Sequence, residues 1–220
     1  AGRPGPAASA FVQLAWPWLR GPRAEDLPRH LEPPDGVLAG LLAGNALLRG
    51  TWRSVAGTAL AGIGSLEPVP DIGPGGDTPA DRLARRVCLV GPDPDGIALL
   101  SDVTTSADSA WRQGGVSRIM ASLLRAARRI GEAQLFDTHG PATWTRVQRS
   151  LEDLLSRYWE DGALGGRTPA EAFSVRCDRS TMTQNDLDNG RLVCLVGVAI
   201  LKPAEFVIFR IGQKTADARS

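Results

Sequence analysis

Histidine is nearly missing from this chain, and cysteine is sparse and oddly spaced. The two histidines, His30 and His139, stand far apart, so a zinc site would need unusual ligands. Cys88, Cys177 and Cys194 are an odd number without Cys-x-x-Cys spacing. That argues against a disulfide framework and makes a reducing setting the expectation. If neighbouring strands brought Cys177 and Cys194 face to face, they would behave as small buried hydrophobes. An excess of either charge is also missing: 25 Lys and Arg stand against 24 Asp and Glu, a net charge of +1. Such a balance supplies no global attraction to nucleic acid or anionic lipid.

Long apolar runs are lacking too. The most apolar stretch, VCLVGVAILKPAEFVIF, is broken by Lys202, Pro203 and Glu205, short of the ~20 residues of a spanning helix. The opening AGRPGPAASA does not follow the basic, apolar, small order of a secretory leader. It reads as a Pro/Gly/Ala linker, with a further segment expected upstream.

What is present suits a folded chain. At 220 residues and 43% apolar content there is material for one sizeable domain or two small ones. FVQLAWPWLR, Phe11 to Arg20, reads as a strand that Pro17 pushes to an edge. Asp35 is a candidate N-cap for a helix carrying Val37, Leu38, Leu41, Leu42 and Leu48. Gly36, Gly40 and Gly44 weaken that helix unless another backbone packs against them. The stretch from Ala56 to Ala80 reads as loop, and RRVCLV and GIALLS as two strands around GPDPDG.

Two amphipathic helices follow. Val116, Ile119, Met120, Leu123, Leu124, Ala127 and Ile130 form one stripe, with Arg118, Arg125, Arg128 and Arg129 mostly outside it. Trp144, Val147, Leu151, Leu154, Leu155, Tyr158 and Trp159 form another, beginning behind Pro141 and ending at Gly162. AFSVRCD then alternates as a half-buried strand. RSTMTQNDLDNG is a polar connection, RLVCLVGVAILK a central strand, and EFVIFRIG the last strand. The expected fold is therefore α/β (α+β), a mixed sheet packed by amphipathic helices. Residues 1–10 read as linker, 11–211 as the core domain and 212–220 as a tail.

Catalytic chemistry finds little support. His139 with Asp137 is the best pair for a small α/β enzyme, yet it lies in a short THGP connection between helices. GIGSLEPVPDIGPGG has glycines but neither the order nor the context of a phosphate loop. No cofactor or metal site is expected, and the Arg-rich helix face reads as solvated or protein-contacting.

The segment from Ala142 to Ile211 resembles the contractile phage tail sheath family, which includes sheaths of injection systems and R-type bacteriocins. The resemblance rests on a Trp-led helix at Trp144, then GALGGRTPAEAF with Gly162, Leu164, Thr168, Pro169, Glu171 and Phe173. It continues through VRCD with Cys177 and Asp178, Thr181, the turn at Gly190 and Leu192, and PAEF from Pro203 to Phe206. AWPWLR and PPDGVLAGLLAGNALLRGTW resemble upstream elements of that family, although GNALLRGTW stands where its members carry a charged Arg-Thr-Asp. The family's N-terminal arm and outer domain have no counterpart here, which fits a fragment or a shortened paralogue.

The resemblance implies a structural subunit rather than an enzyme. Such subunits polymerise helically around an inner tube, contract to drive it through an envelope, and exchange terminal strands with neighbours. Its partners would be copies of itself, the inner tube protein, and baseplate and terminator or cap proteins, without nucleic acid or direct membrane insertion. Assembly would take place in the bacterial cytoplasm, the product being a phage or phage tail-like particle. Inter-subunit strand contacts would fall on Phe11, Val12, Leu14 and Trp16, and on Glu205, Phe206, Val207, Ile208, Phe209 and Arg210. Asp178, Asp186 and Asp188 would face the tube. A non-polymerising terminator or baseplate-linked variant is the alternative within the same family.

One stretch tests these expectations most directly. Phe206, Val207, Ile208 and Phe209 are four consecutive apolar residues, so both faces of a strand there are greasy, whereas a half-exposed strand should alternate. Two arrangements satisfy this: a central strand beneath the helices, or an edge completed by a neighbouring copy.

Overall fold

The computed structural model describes residues 9–72, 78–133, 140–200 and 206–214. The chain divides into two compact units, Ala1–Ile119 and Met120–Ser220.

The first unit contains β1 (Ala15–Trp16), β2 (Trp18–Arg20), α1 (Asp35–Leu48), β3 (Thr58–Ala59), β4 (Ser65–Glu67), α2 (Pro79–Leu83), β5 (Cys88–Asp93) and β6 (Gly96–Leu99). Its main sheet has the order β1-β5-β6-β3, and β2 pairs with β4 as a separate ribbon. The single strand expected over Phe11–Arg20 is broken at Pro17, which is buried and has no N–H to give a ladder. Before it, Ala15 and Trp16 run parallel to Cys88 and Leu89; after it, Trp18, Leu19 and Arg20 pair antiparallel with Glu67, Leu66 and Ser65. The loop expected over 56–80 therefore contains two short strands and the start of α2, each too brief to show a periodicity. The β5–β6 hairpin around Pro94-Asp95 forms as expected.

α1 starts at Asp35 itself, with Pro34 as its cap, so Asp35 sits in the first turn rather than at the cap. There its carboxylate still favours the positive end of the helix dipole. A Cβ added at Gly36, Gly40 or Gly44 would meet nothing within 4 Å, so no other backbone packs there. The inner side of α1 contributes Leu38 to a core with Leu19, Val55, Leu66, Val90 and Leu99.

α3 (Gly114–Glu132) begins in the first unit and continues in the second. The second unit then holds α4 (Pro141–Glu160), α5 (Pro169–Ala172), β7 (Phe173–Arg176), α6 (Gln184–Asp188), β8 (Arg191–Ala199) and β9 (Phe206–Lys214). Both expected helical stripes are buried at Leu123, Ala127, Val147, Leu151 and Leu155. Fully burying such side chains is worth ~1.5–3 kcal/mol each before entropy is subtracted. Pro141 opens α4, and Gly162, at φ 74°, follows its end. A 2.7 Å hydrogen bond between the Ser122 and Tyr158 hydroxyls joins α3 to α4, and α4 packs on β7.

The sheet has the order β7-β8-β9, antiparallel throughout. β8 is central, as its unbroken apolar run predicts, with Val196 at 1% and Val198 at 0% exposure. β9 continues through Lys214, three residues past the expected end of the core at Ile211.

Cys177 and Cys194 meet across β7 and β8, as foreseen, but as a disulfide rather than as two free thiols. The sequence has no signal for this, because the contact depends on the register of two strands separated by a 14-residue connection. Cys88 is the free cysteine and is buried.

Candidate assembly interface

β9 is an edge strand. It pairs with β8 over nine residues, from Arg191↔Lys214 to Ala199↔Phe206, and among the described residues no strand lies on its other side. Val207 and Phe209 are half-buried and Ile211 is buried. These three lie opposite Val198, Val196 and Cys194. Ile208 and Arg210 are exposed, Ile208 by 70%. Within the apolar run, Val207 and Phe209 therefore face inward and Ile208 outward. Ile208 lies opposite Gly197, which offers it no side chain, and cross-strand pairs are what normally stabilise such a position. A free edge presents unpaired N–H and C=O groups. Glu205 falls outside the described residues, and only the backbone of Phe206 is described.

The other expected strand surface lies in the first unit. Phe11 is 72% exposed, Val12 42% and Leu14 46%, while Trp16 is half-buried on β1, an outer strand of its sheet. Phe11 leans on Trp111 with ring centroids 6.5 Å apart. The backbone here is not wholly free: Val12 O accepts from Thr105 N–H at 2.9 Å and Leu14 O from Cys88 N–H at 2.7 Å. This strip is docked on its own unit through one backbone side and shows apolar side chains outward.

Below it lies an ion pair that sequence inspection missed. Asp102, 2% exposed, receives Arg118 Nη1 at 2.9 Å and Nη2 at 2.6 Å, Gln13 Nε2 at 2.9 Å and Val55 N–H at 3.1 Å. Arg118 also donates to Thr51 O at 2.8 Å and Arg53 O at 3.2 Å. Arg118 thus turns inward, unlike Arg125, Arg128 and Arg129, which are exposed. Burial pushes the Asp102 carboxyl up, but the Arg118 bond and charge, Gln13 and Val55 together hold it below the ordinary carboxylate value. The available signal was a lone acid in IALLSDVTT, an apolar stretch that cannot hold a charge unpaired.

The three tube-facing candidates are engaged locally. Asp178 caps a single 3-10 turn, accepting the Ser180 N–H at 2.7 Å; the Ser180 hydroxyl and N–H hold its carboxyl below the usual range. Asp186 forms a capping box with Thr183, whose hydroxyl donates to it at 2.6 Å and whose N–H donates at 2.9 Å. Those bonds lower its carboxyl likewise. Asp188 accepts from Gln184 Nε2 at 2.8 Å and is exposed.

His139 and Asp137 lie outside the described residues. A hollow of about 650 Å³ runs along α1 in the first unit, lined by residues such as Gly40, Leu41, Leu60 and Ile63. No histidine, cysteine or aspartate lines it. Among the described residues no group of three His, Cys, Asp or Glu could hold a metal, and no described helix is long and apolar enough to cross a membrane.

Residues 106–214 match the phage tail sheath C-terminal domain. The carboxy-terminal half is thus similar to the phage tail sheath family. Solved relatives extend the likeness over nearly the whole chain. The anti-feeding prophage baseplate structure contains a chain 27% identical, with a TM-score of 0.77 over 95% of this chain and 56% of that one. The sheath of an extracellular contractile injection system, the PVC sheath complex in its contracted state, is 28% identical, with a TM-score of 0.75 over 96% of this chain and 57% of its own. The anti-feeding prophage helical sheath, also contracted, is 27% identical, with a TM-score of 0.76 over 97% and 59%. No curated protein matches. The chain spans less than three-fifths of the length of these sheath and baseplate chains. Its mixed α/β fold is that of sheath domains, and the small-enzyme alternative is not favoured.

Proposed function

We propose that this chain is a structural subunit of a contractile sheath. It polymerises helically around an inner tube and shortens to drive that tube through a target envelope. The observation that supports this most is β9: an open strand edge with an exposed isoleucine, inside a region matching the sheath C-terminal domain. A strand from a second copy laid along β9 would complete its N–H and C=O groups and give Ile208 a cross-strand neighbour. Head-to-tail contacts that do not close generate helical filaments. Joints made of paired strands stay connected while the rigid bodies between them repack, giving a long metastable state and a short stable one without nucleotide.

In this reading the joint uses Glu205 to Arg210, with Phe11, Val12, Leu14 and Trp16 as a second contact strip. The partners are further copies of the chain, an inner tube protein, and baseplate and terminator proteins. Assembly takes place in the bacterial cytoplasm, and the product is a phage tail-like particle. Asp188 is the cleanest tube-facing candidate, because reversing Asp186 would also remove a helix cap. Co-expression with the tube protein, followed by negative-stain microscopy, tests the proposal. Long cylinders are expected; a sharp small species that never polymerises would overturn it.

A further inference from the structure

Cys177 lies one residue beyond the last β7–β8 pair, Arg176↔Leu195, and faces Cys194. Their Cα atoms are 4.4 Å apart and their sulfurs are bonded. Both are almost wholly buried, at 3% and 1% exposure. Other contacts gather at the same place. Cys177 N–H donates to Gln148 Oε1 of α4 at 3.2 Å, the Thr181 hydroxyl donates to Val193 O at 2.6 Å, and Ile211 of β9 pairs with Cys194. The bridge thus sits where α4, all three strands and the turn after Asp178 converge.

We infer that Cys177 and Cys194 form a redox-operated staple of this sheet, open in reducing surroundings and closed by thiol–disulfide exchange in oxidising ones. One thiolate attacks a sulfur of a small-molecule disulfide, forming a mixed disulfide and expelling one thiolate, which takes up a proton. The second cysteine, as thiolate, then attacks the first cysteine's sulfur and expels the other small thiolate. The net exchange converts two protein thiols and one small disulfide into one protein disulfide and two small thiols. Because both sulfurs are buried, exchange requires β7 to part from β8, or occurs before the sheet closes. Once closed, the bridge is shielded from reductant by the fold it fastens. Cys88 is not a participant: it is buried and donates to Val103 O at 3.3 Å, and burial pushes its thiol up, keeping it protonated.

The staple rests on the geometry of the sheet, whether or not the chain polymerises. Thiol counting on the isolated chain tests it. After incubation with oxidised glutathione and unfolding without reductant, iodoacetamide should label Cys88 alone, with a Cys177–Cys194 cross-linked peptide in the mass spectrum. After dithiothreitol all three cysteines should label. Three labels without reductant, or a bridge that includes Cys88, would overturn the inference. Complete reduction should also lower the wild-type Tm by roughly 6–12 °C, from the size of the closed loop. The Cys177→Ser/Cys194→Ser variant should not respond to reductant, and a fully reduced wild type with an unmoved Tm would equally refute the staple.

Discussion

The first unit spends its polar groups inward, and the second leaves some of its bonding capacity outward. Around Asp102 every carboxylate oxygen is matched by a donor, and the bonds tie together the segments at Gln13, Thr51–Val55, Asp102 and Arg118. Such a site has one good arrangement, since a half-satisfied buried charge is costly. β9 is the opposite case. Its inner face carries the half-buried Val207 and Phe209 and the buried Ile211, yet among the described residues no strand meets its outer edge, and Ile208 is exposed. The difference separates what holds a domain together from what is available to join domains. A buried network tolerates no exchange of partners, whereas a strand edge accepts any chain that presents backbone in register.

Substitutions in the two regions should therefore fail differently. Asp102→Ala leaves the Arg118 guanidinium without its carboxylate and should cost about 3–5 kcal/mol, read from urea unfolding. The same group sets a pH dependence. Its folded value is held below the ordinary carboxylate range, near 3.9 for the unfolded chain. Its contribution is complete above that value and is lost as pH falls through the lower folded one. Urea midpoints between pH 5 and pH 2 should fall more steeply for the wild type than for Asp102→Asn; parallel curves would mean that the pair does not stabilise the unit. Gly115→Ala comes next. A Cβ there would strike the Trp52 carbonyl oxygen, a backbone atom that cannot step aside, at a cost of about 1–3 kcal/mol. Gly40→Ala should go the other way. With open space around it in mid-helix, it should gain about 0.4–1 kcal/mol in thermal or urea unfolding. Ile208→Glu should have the smallest effect on folding, within about 0.5 kcal/mol, because the side chain is exposed. Its whole effect should appear as lost polymerisation in sedimentation or negative stain.

Periodicity made the second unit the more legible one. The stripes of α3 and α4, the unbroken β8 and the alternation of β7 each repeat over enough residues to reveal burial. The first unit was harder because its strands run for only two or three residues, as at Thr58–Ala59 and Ser65–Glu67, and register rather than pattern joins them. Pro17 was legible as a disturbance but not as the break between two sheets. Single long-range contacts left little trace: Asp102 with Arg118, and Cys177 with Cys194, are separated by loops whose path the sequence does not encode locally. The candidate interface was legible in part. Phe206–Phe209 stood out as an unexplained apolar run, while only the strand pairing shows Val207 and Phe209 turned inward and Ile208 outward.

Amide hydrogen exchange across Val207–Ile211, compared between the free chain and the chain polymerised with its tube protein, tests the proposed joint most directly. In the free chain the amides directed at β8 should be protected and the alternate, edge-facing amides should exchange quickly. On polymerisation those alternate amides should become protected, by at least tenfold, as a second backbone completes the ladder. Edge amides already protected in the free chain, or still fast in assembled cylinders, would contradict the account.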